Sequence, residues 1–156
     1  MEWGYASDDG RGLERRSGVL RLGGDAAPNG GGMGLCGAGG ATGARYGEIG
    51  DIAWYFGNSG GTHAQPVGQK AANRLALYDL LGNVWEWTAD WNQGRYGGAS
   101  LERDPQGPQG GDFRVTRGGS WVNGASYARA STRYYVRPAG RGNAVGFRCA
   151  GEIPVR

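Results

Sequence analysis

The chain has 156 residues and a mass of 16.4 kDa, the size of one ordinary domain. Glycine is unusually abundant, with 34 residues, but no G-X-Y period accompanies it, which excludes collagen. Six tryptophans, eight tyrosines and three phenylalanines argue against disorder, because disordered chains contain few aromatic residues. We therefore predict a single loop-rich globular domain over residues 1–156, with aromatic side chains anchoring its core.

The net charge of +3 is spread along the chain and gives little support to nucleic-acid binding, so no nucleic-acid partner is expected. The sequence lacks a transmembrane-length apolar segment and an apolar signal region, which predicts a cytoplasmic protein unless another route displays it at the surface. The two cysteines, Cys36 and Cys149, form either one disulfide or two free thiols.

The predicted elements are short and widely spaced. A glycine-rich loop insert covers residues 29–44, and an apolar run follows at Ile52–Phe56. The best helix candidate is Ala71–Leu80, and residues 92–111 have the composition of a second loop. Two strands are expected towards the C-terminus, in Phe113–Trp121 and Val145–Ala150. Few regular elements and long loops indicate the α+β class.

Three segments occur together in a fixed order: Leu77–Thr88 (LYDLLGNVWEWT), Arg117–Trp121 (RGGSW) and Gly146–Cys149 (GFRC). In order and spacing they resemble the formylglycine-generating-enzyme/sulfatase-modifying-factor family. The opening EWGYA also looks like that family's EWEYA segment, and the resemblance covers most of residues 46–150. It implies a C-type-lectin-like fold with little regular secondary structure and a core held by tryptophans.

The residues themselves favour structural roles for these motifs. Trp85, Trp87 and Trp121 offer large apolar rings whose indole N–H groups need partners. Arg117 and Arg148 are expected to donate to loop carbonyls or to acidic side chains.

The resemblance also implies a candidate calcium site around the GNVWEW loop. Carried over by position, its ligands would be the carbonyls near Leu81 and Val84 and the carboxylate of Glu86. Hard oxygen ligands in a tight loop are what Ca²⁺ prefers. The alternative is that Glu86 forms an ion pair with an arginine in the core. No other cofactor is expected.

The enzymes of this family use two copper-binding cysteines that follow the GGSW-type motif and are five residues apart. Asn123 and Ala128 stand at the matching positions here. Neither side chain replaces the soft thiolate that Cu(I) requires, so the oxidase activity is expected to be absent. A copper oxidase acting on sulfatase cysteines stays the alternative function. The family's N-terminal strands are also missing, which leaves room for an oligomer or a partner chain.

Residues 121–145 form the candidate ligand-binding segment. The chain also resembles variable proteins of diversity-generating retroelements, whose mutagenised codons cannot encode Lys, Glu, Gln, Trp or Met. Residues 122–146 contain none of these five types, although they fill 20 of 156 positions. A window of that length lacks them by chance about three times in a hundred.

The same segment is rich in Tyr, Ser, Gly, Asn and Arg, the residues that paratopes favour. We therefore predict a non-catalytic display domain that binds a protein ligand through residues 121–144. A fixed-specificity binding module is the second alternative. The predicted ligand-binding residues are Trp121, Val122, Asn123, Gly124, Tyr127, Tyr134, Tyr135, Val136, Arg137, Gly140 and Asn143.

Overall fold

The computed structural model of the chain describes residues 3–5, 44–94 and 108–149. Regular structure there is short, with one four-residue helix, α1, at Ile49–Ile52 and a 3-10 turn at Ala125–Tyr127. The strands are β1 Trp3–Tyr5, β2 Ala53–Trp54, β3 Leu81–Gly82, β4 Trp85–Trp91, β5 Arg114–Arg117, β6 Arg133–Val136 and β7 Val145–Arg148.

Five strands form the main sheet in the order β1-β7-β4-β5-β6. Strand β4 lies in the middle, parallel to β7 and antiparallel to β5, with Glu86 opposite Gly146 on one side and Arg117 on the other. Strand β6 pairs antiparallel with β5 and forms one edge of the sheet as described. The candidate ligand-binding segment therefore leaves the sheet after β5, forms its edge as β6 and returns as β7.

A second, two-stranded sheet pairs β2 with β3 in parallel. Gly82 in β3 has a φ of 79°, and a Cβ at this position would lie 2.8 Å from the main-chain nitrogen of Trp54. Beside this small sheet, Ile52, Ala53, Leu81 and Ala128 form a buried apolar cluster, with Tyr46 and Ile49 packed against it. The cluster joins the N-terminal half of the described chain to the candidate ligand-binding segment.

The two C-terminal strands predicted from the sequence are confirmed as β5 and β7. Of the three tryptophans that we expected in the core, Trp85 and Trp121 are each only 5% exposed, whereas Trp87 is half-buried. Residues 29–43 of the predicted glycine-rich loop, and residues 95–107 of the second loop, lie outside the described residues.

The predicted helix at Ala71–Leu80 was wrong, because this segment is irregular. The side-chain carbonyl of Asn73 accepts hydrogen bonds from the N–H groups of Leu75 and Leu77. Such bonds offer the backbone an alternative to the helical ladder. Ala76 and Asp79 also have φ values of 56° and 52°, which a right-handed helix does not contain.

Candidate ligand-binding site

The residues predicted to bind a ligand differ in their exposure. Val122, Tyr127, Tyr134 and Tyr135 are between 45% and 49% exposed, which is high for large hydrophobic side chains. Further predicted residues are exposed or half-buried on the same segment: Asn123, Gly124, Val136, Arg137, Gly140 and Asn143. Trp121, in contrast, is buried.

The exposed aromatic rings form one continuous surface. The ring of Trp85 contacts Tyr127 edge-on, with centroids 6.2 Å apart, and stacks on Tyr134 at 5.4 Å. Tyr134 stacks on Tyr135 at 5.5 Å, and Tyr135 meets Phe113 edge-on at 5.2 Å. We call Tyr127, Tyr134, Tyr135 and Phe113 the tyrosine surface. Each contact has the offset or T-shaped geometry that aromatic pairs prefer.

Two rings of the tyrosine surface belong to the edge strand β6. Consecutive residues of a strand point to opposite faces, so Tyr134 and Tyr135 start on different sides of β6. Their rings nevertheless lie 16° from parallel and in contact. The two neighbouring side chains thus form one aromatic contact area at the edge strand.

Trp85 supports this surface from below. It is 5% exposed, and its indole nitrogen donates a 2.8 Å hydrogen bond to the side-chain oxygen of Asn123. The same oxygen accepts a 2.6 Å bond from the hydroxyl of Ser120. Asn123 thus satisfies a buried indole donor, and its side chain serves the packing beneath the surface.

The backbone of residues 121–145 is held by residues that lie outside it. Arg45 donates to the carbonyls of Ala128 and Ala125, at 2.8 and 2.6 Å. The hydroxyl of Ser59 donates to the carbonyl of Trp121 at 2.9 Å, and the guanidinium of Arg117 donates to that of Thr132 at 2.8 Å. These partners fix the course of the main chain without using the segment's own side chains.

Two of the predicted ligand-binding residues, Trp121 and Gly140, stabilise the loop structure of the segment. The buried indole of Trp121 donates to the carbonyl of Asn143 at 3.2 Å, so it braces the loop from inside instead of facing solvent. Gly140 closes a turn with the carbonyl of Arg137, and a Cβ there would lie 2.5 Å from Cγ1 of Val136. Side-chain variation at position 140 therefore meets a steric limit.

Two residues of the site, Phe113 and Arg45, were not predicted from the sequence. Phe113 reaches Tyr135 because Val115, two residues further on, is paired with Tyr135 in the sheet. That diagonal contact depends on strand register, which a single sequence does not give. Arg45 precedes the resembling motifs, and nothing in its local sequence marks it as an anchor of a segment about 80 residues away.

A family model for the sulfatase-modifying factor enzyme 1-like domain matches residues 2–153 of the chain. The chain belongs to this family. The loop-rich α+β, C-type-lectin-like fold that the resemblance implied is thereby confirmed.

Curated proteins with different names resemble the chain. It is 38% identical over 102 residues to the formylglycine-generating enzyme of Thermomonospora curvata, covering 62% of this chain and 34% of that protein. It is 36% identical over 118 residues to the serine/threonine-protein kinase Pkn1 of Chlamydia trachomatis, covering 74% of this chain and 19% of that protein. The chain thus spans 34% and 19% of the length of these two curated relatives.

Among solved structures, Treponema denticola variable protein 1 has a TM-score of 0.68 and 35% identity to the chain. The match covers 74% of this chain and 43% of that one. The chain thus resembles both proteins with catalytic names and a protein named for its variability, so its own residues must distinguish between the two kinds of role.

The positions that the family resemblance assigns to copper do not fit the metal. Asn123 is engaged by Trp85 and Ser120, and Ala128 is a buried apolar residue. Cys149 is exposed at the end of β7, and Cys36 lies outside the described residues. No pair of thiolates is therefore available at these positions to hold Cu(I).

The carboxylate of Glu86 forms an ion pair with Arg148 in the core, which was the alternative to its role as a calcium ligand. Nη2 of Arg148 lies 2.5 Å from Oε1 of Glu86, and Nε donates to both carboxylate oxygens. Arg148 also donates to the carbonyl of Tyr78. A carboxylate whose two oxygens already accept from a cation does not fit a calcium ligand, whatever the carbonyls of Leu81 and Val84 contribute.

Two ionisable groups lie close to this ion pair. Asp79 is 4% exposed and accepts a 2.7 Å bond from the N–H of Gly68, and burial raises the pKa of its carboxyl. Burial also raises the pKa of Tyr46 to about 12, an effect that Asp79 reinforces and Arg148 opposes. Burial thus makes the charged form of each group less favourable in the folded protein than in the unfolded chain.

Two kinds of feature are absent from the described part of the chain. Residues 44–94 and 108–149 contain no group of three or more His, Cys, Asp or Glu placed to hold a metal ion. No helix within these residues is long and apolar enough to span a bilayer. His63, the single histidine of the sequence, is exposed, and Nδ1 of its ring lies 2.7 Å from the hydroxyl oxygen of Thr62.

Proposed function

We propose that this chain is a non-catalytic domain that binds a protein ligand on the tyrosine surface, and that residues 121–144 are a diversified display segment. The observation that carries this proposal is the exposure of Tyr127, Tyr134 and Tyr135, about half of each side chain, on a backbone that is anchored from outside the segment.

Tyrosine suits this role because it supplies a large contact area with few rotatable bonds. The rings here are held by Trp85 and by one another, so little further ordering is required when a partner binds. Rigid aromatic anchors surrounded by small polar residues are typical of paratopes. Protein–protein hot spots are likewise enriched in Tyr and Arg.

The mode of anchoring favours a segment that varies. Arg45, Ser59 and Arg117 donate to main-chain carbonyls, which every amino acid possesses. Substitutions at Val122, Tyr127 or Tyr134 leave these bonds in place. The likeness to a solved variable protein supports the same interpretation. A fixed-specificity module would gain nothing from such tolerance.

Sequencing of this gene across a population of the source organism tests the diversified segment. We expect substitutions to concentrate at adenine-derived codons between Val122 and Ala144, with few changes at Arg45, Ser59 and Trp85. An invariant segment would leave a binding module of fixed specificity.

A second experiment tests binding itself. Short peptides are selected from a random displayed library against the wild-type domain, and their affinities are then measured for two alanine variants. Tyr134→Ala is expected to weaken binding by about tenfold or more. Leu75→Ala removes an exposed apolar side chain, 57% exposed, from the loop that precedes β3 and should leave affinity unchanged. Equal effects of both variants would place the binding site elsewhere.

The catalytic alternative has its own test. Protein supplied with Cu(I) and offered a sulfatase-type cysteine peptide is expected to yield no aldehyde, because Asn123 and Ala128 supply no thiolate. Clear turnover would overturn the non-catalytic role and favour the function of the family's oxidases.

A further inference from the structure

The stretch of sequence that carries most of the tyrosine surface is rich in arginine. From Phe113 to Cys149 the sequence contains no Asp or Glu and has seven arginines: Arg114, Arg117, Arg129, Arg133, Arg137, Arg141 and Arg148. The whole chain carries only three more positive than negative charges, so the excess of arginine is local. It coincides with β5, β6, β7 and the loops between them.

Four of these arginines have partners within the protein. Arg148 is paired with Glu86, Arg117 donates to the carbonyl of Thr132, and Arg114 lies 3.6 Å over the ring of Trp91. Burial raises the pKa of Asp90, and the charge of Arg133 is the largest influence that lowers it again, followed by Arg117 and Arg114. Asp90 is thus the carboxylate that these inner arginines face.

The other three, Arg129, Arg137 and Arg141, are exposed, and their side chains form no hydrogen bond or ion pair with the described residues. The guanidinium of Arg137 lies 5.0 Å over the ring of Phe113, at one end of the tyrosine surface. Arg129 follows Tyr127, at the other end, by two residues, and its main-chain N–H donates to the carbonyl of Tyr127. An exposed arginine therefore lies close in the chain to each end of the aromatic contact area.

From this arrangement we infer that the partner bound by the tyrosine surface presents an acidic polypeptide segment. The inference rests on the proposed function and adds the chemistry of the ligand. Aspartate or glutamate side chains of the partner pair with Arg137 and Arg129, while apolar or aromatic side chains between them cover the tyrosine rings. Arginine suits this role because its planar guanidinium binds a carboxylate through two parallel hydrogen bonds.

An exposed set of arginines and stacked aromatic rings also resembles a single-stranded nucleic-acid surface. The protein partner is favoured because only three of the seven arginines from Phe113 to Cys149 are exposed, while the other four are buried or half-buried and face partners within the protein. Nucleic-acid binding depends on many phosphate contacts along such a track.

The experiment uses the peptides selected against the wild-type domain. Aspartate and glutamate should be enriched among them relative to the starting library. Each enriched peptide is then compared with its own amide version, in which Asn and Gln replace Asp and Glu. The amide version and the protein variant Arg137→Gln should each lose about tenfold in affinity. When the two changes are combined, the loss of affinity should be smaller than the product of the two separate losses.

Arg74→Gln is the matched control, because it removes one exposed positive charge from the loop at residues 71–80, outside the tyrosine surface. It should leave the affinity within about twofold, because Arg74 lies outside the tyrosine surface and salt weakens interactions between exposed charges. A fluorescein-labelled oligothymidine strand serves as the nucleic-acid probe and should not bind at physiological salt.

The outcomes separate this inference from the proposed function. Selected peptides that depend on Tyr134 but show no acidic enrichment would reject the acidic partner and leave the binding surface standing. Peptides that bind independently of Tyr134 and Arg137 would reject both. Tight binding of the oligothymidine strand that is lost in Arg137→Gln would replace the acidic polypeptide with a nucleic acid.

Discussion

The guanidinium of Arg148 on β7 donates hydrogen bonds to both carboxylate oxygens of Glu86 on β4, with Nη2 and Oε1 2.5 Å apart. The two residues are 62 positions apart in the sequence. Their side chains are 6% and 4% exposed. The pair links the GNVWEW and GFRC motifs across neighbouring strands, so these two motif residues stabilise the fold. Their presence by itself carries no information about catalysis.

Removing one member of this pair should be costly. Arg148→Met leaves a buried carboxylate unpaired and is expected to lower the free energy of unfolding by about 3–5 kcal/mol. The double variant Glu86→Met/Arg148→Met removes both charges and should recover much of that loss. Urea unfolding of the wild type, both single variants and the double variant measures the coupling. Additive effects of the two substitutions would contradict a direct interaction.

Gly82 should tolerate no side chain. A Cβ there would overlap the main chain of Trp54, and its φ of 79° is unfavourable for other residues. Gly82→Ala is therefore expected to cost more than about 3 kcal/mol. Gly60 has a similar φ of 76° but no atom within 4 Å of the added Cβ. Gly60→Ala should cost about 1 kcal/mol, which isolates the steric contribution at Gly82. Similar melting temperatures would show that β2 and β3 yield to the clash.

Asn123 and Asn143 were both predicted as ligand-binding residues, yet the structure uses them differently. Asn123→Ala removes the acceptor of the buried Trp85 indole and should lower stability by about 1–3 kcal/mol. Asn143→Ala keeps the carbonyl that accepts from Trp121 and should change stability by less than about 0.5 kcal/mol. Thermal melts followed by tryptophan fluorescence compare the two. Equal melting temperatures would remove the supporting role of Asn123.

Stability should fall at alkaline pH because of Tyr46. Burial raises the pKa of its hydroxyl from 10.0 to about 12, so the unfolded chain releases this proton at lower pH than the folded protein. The contribution of Tyr46 is complete below pH 10 and is lost as the pH rises through the folded value. Urea unfolding across this range should show a shallower loss in Tyr46→Phe than in the wild type. Tyr127→Phe, on the exposed surface, should follow the wild-type slope; a shallower slope there as well would assign the effect elsewhere.

Much of the fold was predictable from residues whose size or pattern favours one environment. Trp85 and Trp121 are large and apolar, which favours burial in the core of a loop-rich domain. The alternation of side chains in Arg114–Arg117 predicts a strand. The Ala71–Leu80 segment shows the limit of such reasoning. Its alanines and leucines favour a helix, but a single side chain, that of Asn73, supplies the hydrogen bonds that the backbone needs in a turn.

The composition of residues 121–144 predicts a contact surface but not its arrangement. The tyrosines of this segment are exposed, and their role in binding stays a prediction. Which residues support that surface depends on the register of β5 against β6 and on contacts between distant loops. Neither is encoded in a local pattern, which is why Phe113 and Arg45 were not expected and Asn123 was assigned an outward role.

Strand β4 lies between the two strands that begin and end the ligand-binding segment, since β5 pairs with it on one side and β7 on the other. The strands at both ends of the segment are thus held by β4. The turn from Arg137 to Gly140 lies between them and is not part of a strand. Once both ends are fixed, closing a longer loop costs only about 0.6 kcal/mol for each doubling of its length. The domain should therefore tolerate insertions in this turn. A longer turn would extend the segment further from the sheet, so the ligand-binding segment can evolve in length as well as in composition.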